Sequence, residues 1–257
     1  MAVFRDYVIH TPEEIEKIRV AMSMTAQVRD QLVELVRPGM TTLQIDQLAG
    51  DLIRATGGTS GFLNYHGFPG NICISLNDEV VHGIGSPNRV VLESDIVSID
   101  IGVSYDGGVG DSAVTFGFGE LPKDTQRLLT ATREALMAGI KAARKGNYIR
   151  DISRAIEKRA QADQLGIVRE MVGHGVGVRL HEPPDVPNYV TPMRGPRLQK
   201  GMVLAIEPML NLGTHRISQD SDGWTIRTRD GSLSAHFEHS ILITDNEPEI
   251  LTWPKTM

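Results

Sequence analysis

Cysteine is nearly absent from this chain: Cys73 is the only one. An intrachain disulfide is thereby excluded, and a reducing compartment fits, so a cytoplasmic location is expected. The plainest reading of Cys73 is a small buried hydrophobe. No apolar run approaches the roughly 20 residues that cross a bilayer, so no membrane partner is expected. The start, Met1-Ala2-Val3-Phe4-Arg5-Asp6-Tyr7, lacks the charged-then-apolar layout of a secretory signal. Basic residues form no stripe and the formal net charge is −6, which argues against nucleic acid as a partner. Low-complexity segments and linkers are also missing. The 257 residues therefore read as one domain, 1–257.

What is present centres on the stretch 95–111. Ile96-Val97-Ser98-Ile99 and Ile101 surround Asp100, a strand pattern with a carboxylate in its middle. Tyr105-Asp106-Gly107-Gly108 is turn chemistry, because Asp-Gly tolerates the positive φ of a tight hairpin. The returning strand brings Asp111 back beside Asp100. Two carboxylates on paired strands repel unless something cationic sits between them, and a divalent metal is the leading explanation.

Thr11-Pro12-Glu13-Glu14 predicts a capped helix start, with Ile15, Ile18, Met22, Leu32 and Val36 as its apolar face and Arg37-Pro38-Gly39 as its stop. Thr41 with Gln44 opens a second helix carrying Ile45, Leu48 and Leu52, ended by Gly57-Gly58. Two more are predicted over 128–143 and 149–165, the last closed by Gly166 as its C-cap. Residues 71–81, 202–209, 224–228 and 233–244 read as strands, with Asp230-Gly231 turning the final pair.

The layout repeats. Arg37-Pro38-Gly39 recurs as Arg144-Lys145-Gly146, and at the same offset Ile45 falls on Ile152, Ile99 on Ile206 and Asp100 on Glu207. His82-Gly83-Ile84-Gly85 has a looser counterpart in His174-Gly175-Val176-Gly177, and Asp111 corresponds to Glu238 across an insertion. Two halves, roughly 12–119 and 120–251, meeting about a pseudo-twofold axis would place four carboxylates together.

The candidate ligands are Asp100, Asp111, His174, Glu207 and Glu238. Singly, each has a bland reading: a strand aspartate at an edge, a glutamate before Pro208 capping a turn. Together they are harder to dismiss, since Asp100 and Glu207 lie inside apolar runs where an unpaired charge is costly. Carboxylates with one imidazole favour manganese, iron, cobalt or zinc over magnesium or calcium. Five ligands exceed one tetrahedral zinc site but suffice for two divalent ions about 3.5–4 Å apart, with two carboxylates bridging. Such a pair implies hydrolysis.

The segments Asn64-Tyr65-His66-Gly67-Phe68-Pro69, Val80-Val81-His82-Gly83-Ile84, Ser98-Ile99-Asp100-Ile101-Gly102, Gly173-His174-Gly175-Val176-Gly177, His181-Glu182-Pro183-Pro184, Ala205-Ile206-Glu207-Pro208 and Glu238-His239-Ser240 fall in the order and spacing of type I methionine aminopeptidases. The resemblance covers nearly the whole chain. It implies a pita-bread fold of α/β (α+β) class, a curved antiparallel sheet backed by helices with a dinuclear metal centre in its concavity. By the same resemblance, Asp100 would hold one ion through both oxygens, Asp111 and Glu238 would bridge, and His174 and Glu207 would hold the second. Glu207 would also shuttle the proton of the attacking water. His82 and His181 match the family's non-ligand histidines, which contact the substrate amide and stabilise the tetrahedral intermediate. The methionine pocket corresponds to Phe62, Tyr65, Phe68, Cys73, Leu180 and Trp224.

Several positions depart from the family pattern. Gly85 replaces a proline, Val81 a frequent cysteine, and Leu180 a common aromatic; Asp111-Ser112-Ala113-Val114 lacks the usual threonine and basic residue after the aspartate. These bear on pocket shape and rate, since every ligand and histidine position is retained. The activity implied is removal of initiator methionine from nascent polypeptides whose second residue is small and uncharged. A monomer is expected, and transient ribosome contact suits such a substrate. With Met1-Ala2 at its start, the chain should be a substrate for its own activity. The alternatives are a proline-directed aminopeptidase or dipeptidase of the same fold, and a non-catalytic peptide-binding module. The first usually carries a further N-terminal domain, and the second typically loses ligands.

Overall fold

Residues 7–253 are described by the computed structural model. Met1-Ala2, expected to be a substrate, lies outside them. Thr11 starts α1 (Pro12–Leu35) by a capping box: its hydroxyl accepts from the Glu14 amide at 3.2 Å, and the Glu14 carboxylate accepts from the Thr11 amide at 2.8 Å. Thr41 and Gln44 cap α2 (Thr42–Ala55) in the same way. Both helices turn their apolar stripes onto the long hairpin that follows. Val28, Leu32, Ile45 and Ile53 share one core cluster with Ile74, Ile99 and Ile101.

After α2 come β1 (Thr59–Ser60), β2 (Cys73–Leu76), β3 (Glu79–Val81), β4 (Ile96–Tyr105) and β5 (Gly108–Gly117). β4 and β5 close as the sequence predicts, through a two-residue loop whose members, Asp106 and Gly107, have φ of 46° and 83°. The register pairs Asp100 with Ala113 and Gly102 with Asp111. The two aspartates are therefore diagonal neighbours on one face of the ladder.

The second half opens with α3 (Lys123–Ala142), which starts before the predicted residue 128. Its first turn, Lys123-Asp124-Thr125-Gln126-Arg127, is largely polar, so the apolar period shows only from Leu128 onward. α4 (Ile149–Ala162) follows, and here the predicted glycine cap is overturned. Gln164, not Gly166, takes the left-handed position, with φ of 55°, and the Leu165 amide returns to the Ala160 carbonyl at 3.2 Å. Gly166 instead opens β6 (Gly166–Ile167), where an added Cβ would sit 2.4 Å from the Gly213 carbonyl oxygen. Close backbone approach explains that glycine.

The remaining strands are β7 (Gly173–Gly175), β8 (Glu182–Val186), β9 (Val203–Ile206), β10 (Met209–Asn211), β11 (Ile217–Gln219), β12 (Ile226–Thr228), β13 (Ser234–His236), β14 (His239–Leu242) and β15 (Glu249–Ile250). Every described pairing is antiparallel, in the orders β1-β4-β2 with β5 beside β4, β13-β10-β6, β11-β12-β3 and β15-β14-β9-β7-β8. Asp230-Gly231 does not close a hairpin as predicted: β12 pairs with β11 and β3, whereas β13 pairs with β10. Asp230 accepts from the amides of Thr214 and Ser232, which steers the chain from one sheet into another. Leu128, Leu136, Ile152 and Ile156 of α3 and α4 pack with Leu204, Ile206 and Ile241 in a second core cluster.

β5 meets the segment joining β13 to β14 along a seam built mainly by side-chain hydroxyls. The Glu238 amide donates to the Ala113 carbonyl at 2.9 Å, Ser112 Oγ to the Glu238 carbonyl at 2.9 Å, and Ser240 Oγ to the Asp111 carbonyl at 2.8 Å. This seam brings the carboxylates of the two halves together.

Candidate metal centre and substrate pocket

Asp100 and Asp111 project from the β4–β5 hairpin, and Glu238 reaches them across the seam. One carboxylate oxygen of each lies within 4.8 Å of the other two. Glu207 follows the last residue of β9, and His174 lies in β7, the neighbouring strand. His174 Nε2 is 3.4 Å from Glu207 Oε1 and 3.7 Å from Asp111 Oδ2. All five expected ligands thus converge, with Glu207 and His174 at one side of the three-carboxylate group.

A divalent ion fits this set on three observations. Asp100 Oδ1, Asp111 Oδ1 and Glu238 Oε1 are buried oxygens without a hydrogen-bond partner. Such atoms are costly unless a cation completes them. Burial pushes the Asp100 carboxyl up to about 7 and that of Glu207 up to about 8. Burial, together with mutual repulsion, also holds Asp111 and Glu238 well above the ordinary range. Lastly, His174 Nδ1 lies 2.9 Å from the Gly175 carbonyl, which can only accept. The ring proton is therefore on Nδ1 and the Nε2 lone pair faces the carboxylates, the tautomer a metal ligand needs. Burial lowers this imidazole to about 3, so it is neutral and ready to ligate.

Above the carboxylates opens a cavity of about 360 Å³. Phe62, Tyr65, Phe68, Cys73, Leu180 and Trp224, the positions expected to form a methionine pocket, all line it. Phe68 and Trp224 meet edge to face, with ring centroids 5.2 Å apart. The bland reading of Cys73 also holds in part, since it is buried and its thiol is pushed up chiefly by burial and then by Asp100. Of the departures from the family pattern, Val81 and Leu180 touch the cavity. Gly85 packs on α2, where a Cβ would come 2.9 Å from Asp46 Cβ, so that change acts away from the cavity.

His82 and His181 face the same space. His181 sits at the mouth with Nδ1 2.8 Å from the Tyr65 hydroxyl, and its ring lies 4.1 Å from that of His174. His82 follows the last residue of β3 with φ of 62°, a left-handed conformation that a non-glycine residue rarely adopts. Burial first, then the nearby His236 and His181, lowers His82 to about 4. Both are neutral imidazoles near pH 7, since burial also lowers His181.

A buried histidine beside Glu207 is absent from the expected site residues. His236 is buried with Nε2 3.4 Å from Glu207 Oε2. It precedes Glu238 by two residues, and strand alternation would have set both on one face.

The sequence from residue 16 to 245 matches the model of metallopeptidase family M24. The chain belongs to this family. It is 44% identical to a methionine aminopeptidase of Clostridium acetobutylicum, covering 95% of this chain and 98% of that one. Methionine aminopeptidase 1 of Bacillus subtilis is also 44% identical, over 94% and 97% of the two chains. The crystal structure of a methionine aminopeptidase from Thermotoga maritima superposes with a TM-score of 0.93 at 42% identity, covering 96% and 99%. A prolidase from Pyrococcus furiosus shares the fold alone, with a TM-score of 0.78 at 21% identity and only 66% of its length covered. The pita-bread architecture of this M24 chain is thus the one its motifs implied. The proline-directed alternative is not favoured, because the relatives matched over nearly their full length are methionine aminopeptidases.

Proposed function

We infer that the chain is a metal-dependent aminopeptidase that removes N-terminal methionine by hydrolysis when the second residue is small and uncharged. The observation that carries this reading is the placement of partnerless carboxylate oxygens on the wall of an apolar cavity lined by Phe68, Cys73 and Trp224. Its family and its relatives at 44% identity support it.

Asp100, Asp111 and Glu238 would hold one divalent ion, with His174 and Glu207 completing a second position shared through Asp111 and Glu238. Manganese, iron, cobalt and zinc all suit these donors. When bound, such ions act as Lewis acids and lower the pKa of water toward neutrality. The chain's own groups then have distinct tasks. The Phe68–Trp224 wall and Cys73 accept the methionine side chain by apolar burial and soft sulfur contact. Glu207 takes the proton of the attacking water and passes it to the leaving amine. His82 and His181, neutral at working pH, donate to the amide and to the oxyanion as it forms. His181 is oriented for this by its bond to the Tyr65 hydroxyl.

The same reading carries a single catalytic domain of two halves, roughly 12–119 and 120–251, working as a cytoplasmic monomer on N-termini that leave the ribosome. It is tested with chelated protein, metal added back, and mass spectrometry of Met-Ala-Ser, Met-Lys-Ser and Ala-Pro-Ser. Cleavage of Met-Ala-Ser alone supports it; preferred cleavage of Ala-Pro-Ser returns the proline-directed reading.

A further inference from the structure

Asp111 and Glu238 have no side-chain partner on the oxygens Oδ1 and Oε1, so their backbones must set where those oxygens lie. Yet β5 and β14 do not form a regular ladder. Reciprocal hydroxyl bonds replace it: Ser112 Oγ donates to the Glu238 carbonyl at 2.9 Å, and Ser240 Oγ to the Asp111 carbonyl at 2.8 Å. Each hydroxyl sits beside or near one ligand and holds the carbonyl of the other.

The two serines are themselves held from behind, Ser112 through its hydroxyl and Ser240 through its backbone amide and carbonyl. Arg29, in the last two turns of α1, is buried at 6% exposure, which is unusual for arginine. Its Nη1 donates to Ser112 Oγ at 2.7 Å and to the Thr252 carbonyl at 3.1 Å, while Nε and Nη2 reach Asp30 Oδ1 at 2.9 and 2.8 Å. A guanidinium can only donate, so Ser112 must accept there and is left with its one proton for Glu238. Thr252 Oγ1 in turn accepts from the Ser240 amide at 3.2 Å and lies 2.9 Å from His239 Nδ1. The Leu251 amide donates to the Ser240 carbonyl at 2.9 Å, and Thr252 is fully buried. The segment Leu251-Thr252 is thus a strap across the back of the seam, tied to α1 by one buried cation.

We propose that Arg29, with Thr252 and Ser240, is a positioning group for the metal centre, fixing the separation of Asp111 and Glu238 from behind. This rests on the reading of those two carboxylates as ligands. Outer groups that orient ligands are worth roughly 10- to 100-fold in metal affinity, and that is the size expected here.

The test is manganese titration of chelated protein by calorimetry, with unfolding temperature, kcat and KM measured on the same samples. For Arg29→Met we expect roughly 10- to 100-fold weaker metal binding and a lower kcat with KM little changed. Arg29→Lys, which keeps the charge but not the planar fork, should recover part of both. Wild-type metal affinity in folded Arg29→Met overturns the proposal. Should Arg29→Met fail to fold, Ser240→Ala decides: it removes one hydroxyl and no charge, and wild-type affinity there also overturns it. Asp111→Asn separates the two readings. Unchanged metal binding in that variant defeats the ligand assignment itself, whereas its loss alongside an unaffected Arg29→Met defeats only the positioning role.

Discussion

His174 Nε2 stands 3.4 Å from Glu207 Oε1, with the imidazole proton held on the far side by the Gly175 carbonyl. The pair joins β7 to the end of β9, and Glu207 Oε2 meets a second buried imidazole, His236, at 3.4 Å. Glu207 is therefore constrained from both sides while its own carboxyl is pushed up to about 8 by burial. A carboxylate so placed suits proton transfer. Glu207→Gln is expected to lower kcat by about 10²- to 10⁴-fold with KM little changed. A rate within threefold of wild type would remove Glu207 from the proton path.

The bridging role given to Asp111 and Glu238 has a stoichiometric consequence. Each sits among oxygens of the other and of Asp100 within 4.8 Å. Asp111→Ala or Glu238→Ala is expected to bind fewer than two ions per chain and to lose several orders of magnitude of activity. Metal counting by calorimetry and elemental analysis checks this. Two tightly held ions with near wild-type turnover in either variant would end the dinuclear reading.

His181 is expected to act after substrate binds. Its ring touches Tyr65 and packs on His174, yet no carboxylate of the cluster is bonded to it. His181→Ala should keep metal stoichiometry and lose about 10²- to 10³-fold in kcat, as removal of one oxyanion donor does. Loss of metal in that variant would make His181 a ligand instead.

How far the chain could be read in advance depended on what each residue answers to. The hairpin around Asp106-Gly107, both capping boxes and the convergence of the five candidate ligands were legible, because local turn chemistry and an out-of-place carboxylate are visible without neighbours. The Gly166 cap was misread: glycine answers both to positive φ and to close approach, and only the fold shows that Gly213 crosses it. Strand alternation links His236 to Glu238 two residues on, but only the fold shows that Glu207 lies opposite it. Arg29 looks like a solvated helix residue until Ser112 and Thr252 are seen around it.

The buried carboxyls give the chelated protein a characteristic pH dependence. Burial raises Asp100 from 3.8 to about 7 and Glu207 from 4.5 to about 8, so the folded state binds more protons than the unfolded one. Stability from these groups is complete below about pH 4 and is lost as pH rises through about 8. Buried neutral His82 and His174 act in the opposite sense below about pH 6.5. The unfolding temperature of chelated protein should therefore fall between about pH 6.5 and 8, and manganese should cancel much of that fall by binding the ionised forms. A chelated protein equally stable at about pH 6.5 and pH 8 would show that the carboxylates are not held together without metal.

The most direct test of the account is side-by-side turnover of Met-Ala-Ser and Met-Lys-Ser by chelated protein before and after manganese is restored. The cavity of about 360 Å³ is lined by Phe68, Cys73 and Trp224 for the methionine, and the second residue must pass close to the buried carboxylates. A long charged side chain there would be desolvated without a partner. The expected result is metal-dependent release of methionine from Met-Ala-Ser and little from Met-Lys-Ser. Efficient release from Met-Lys-Ser, or release from Met-Ala-Ser that persists in excess chelator, would contradict it.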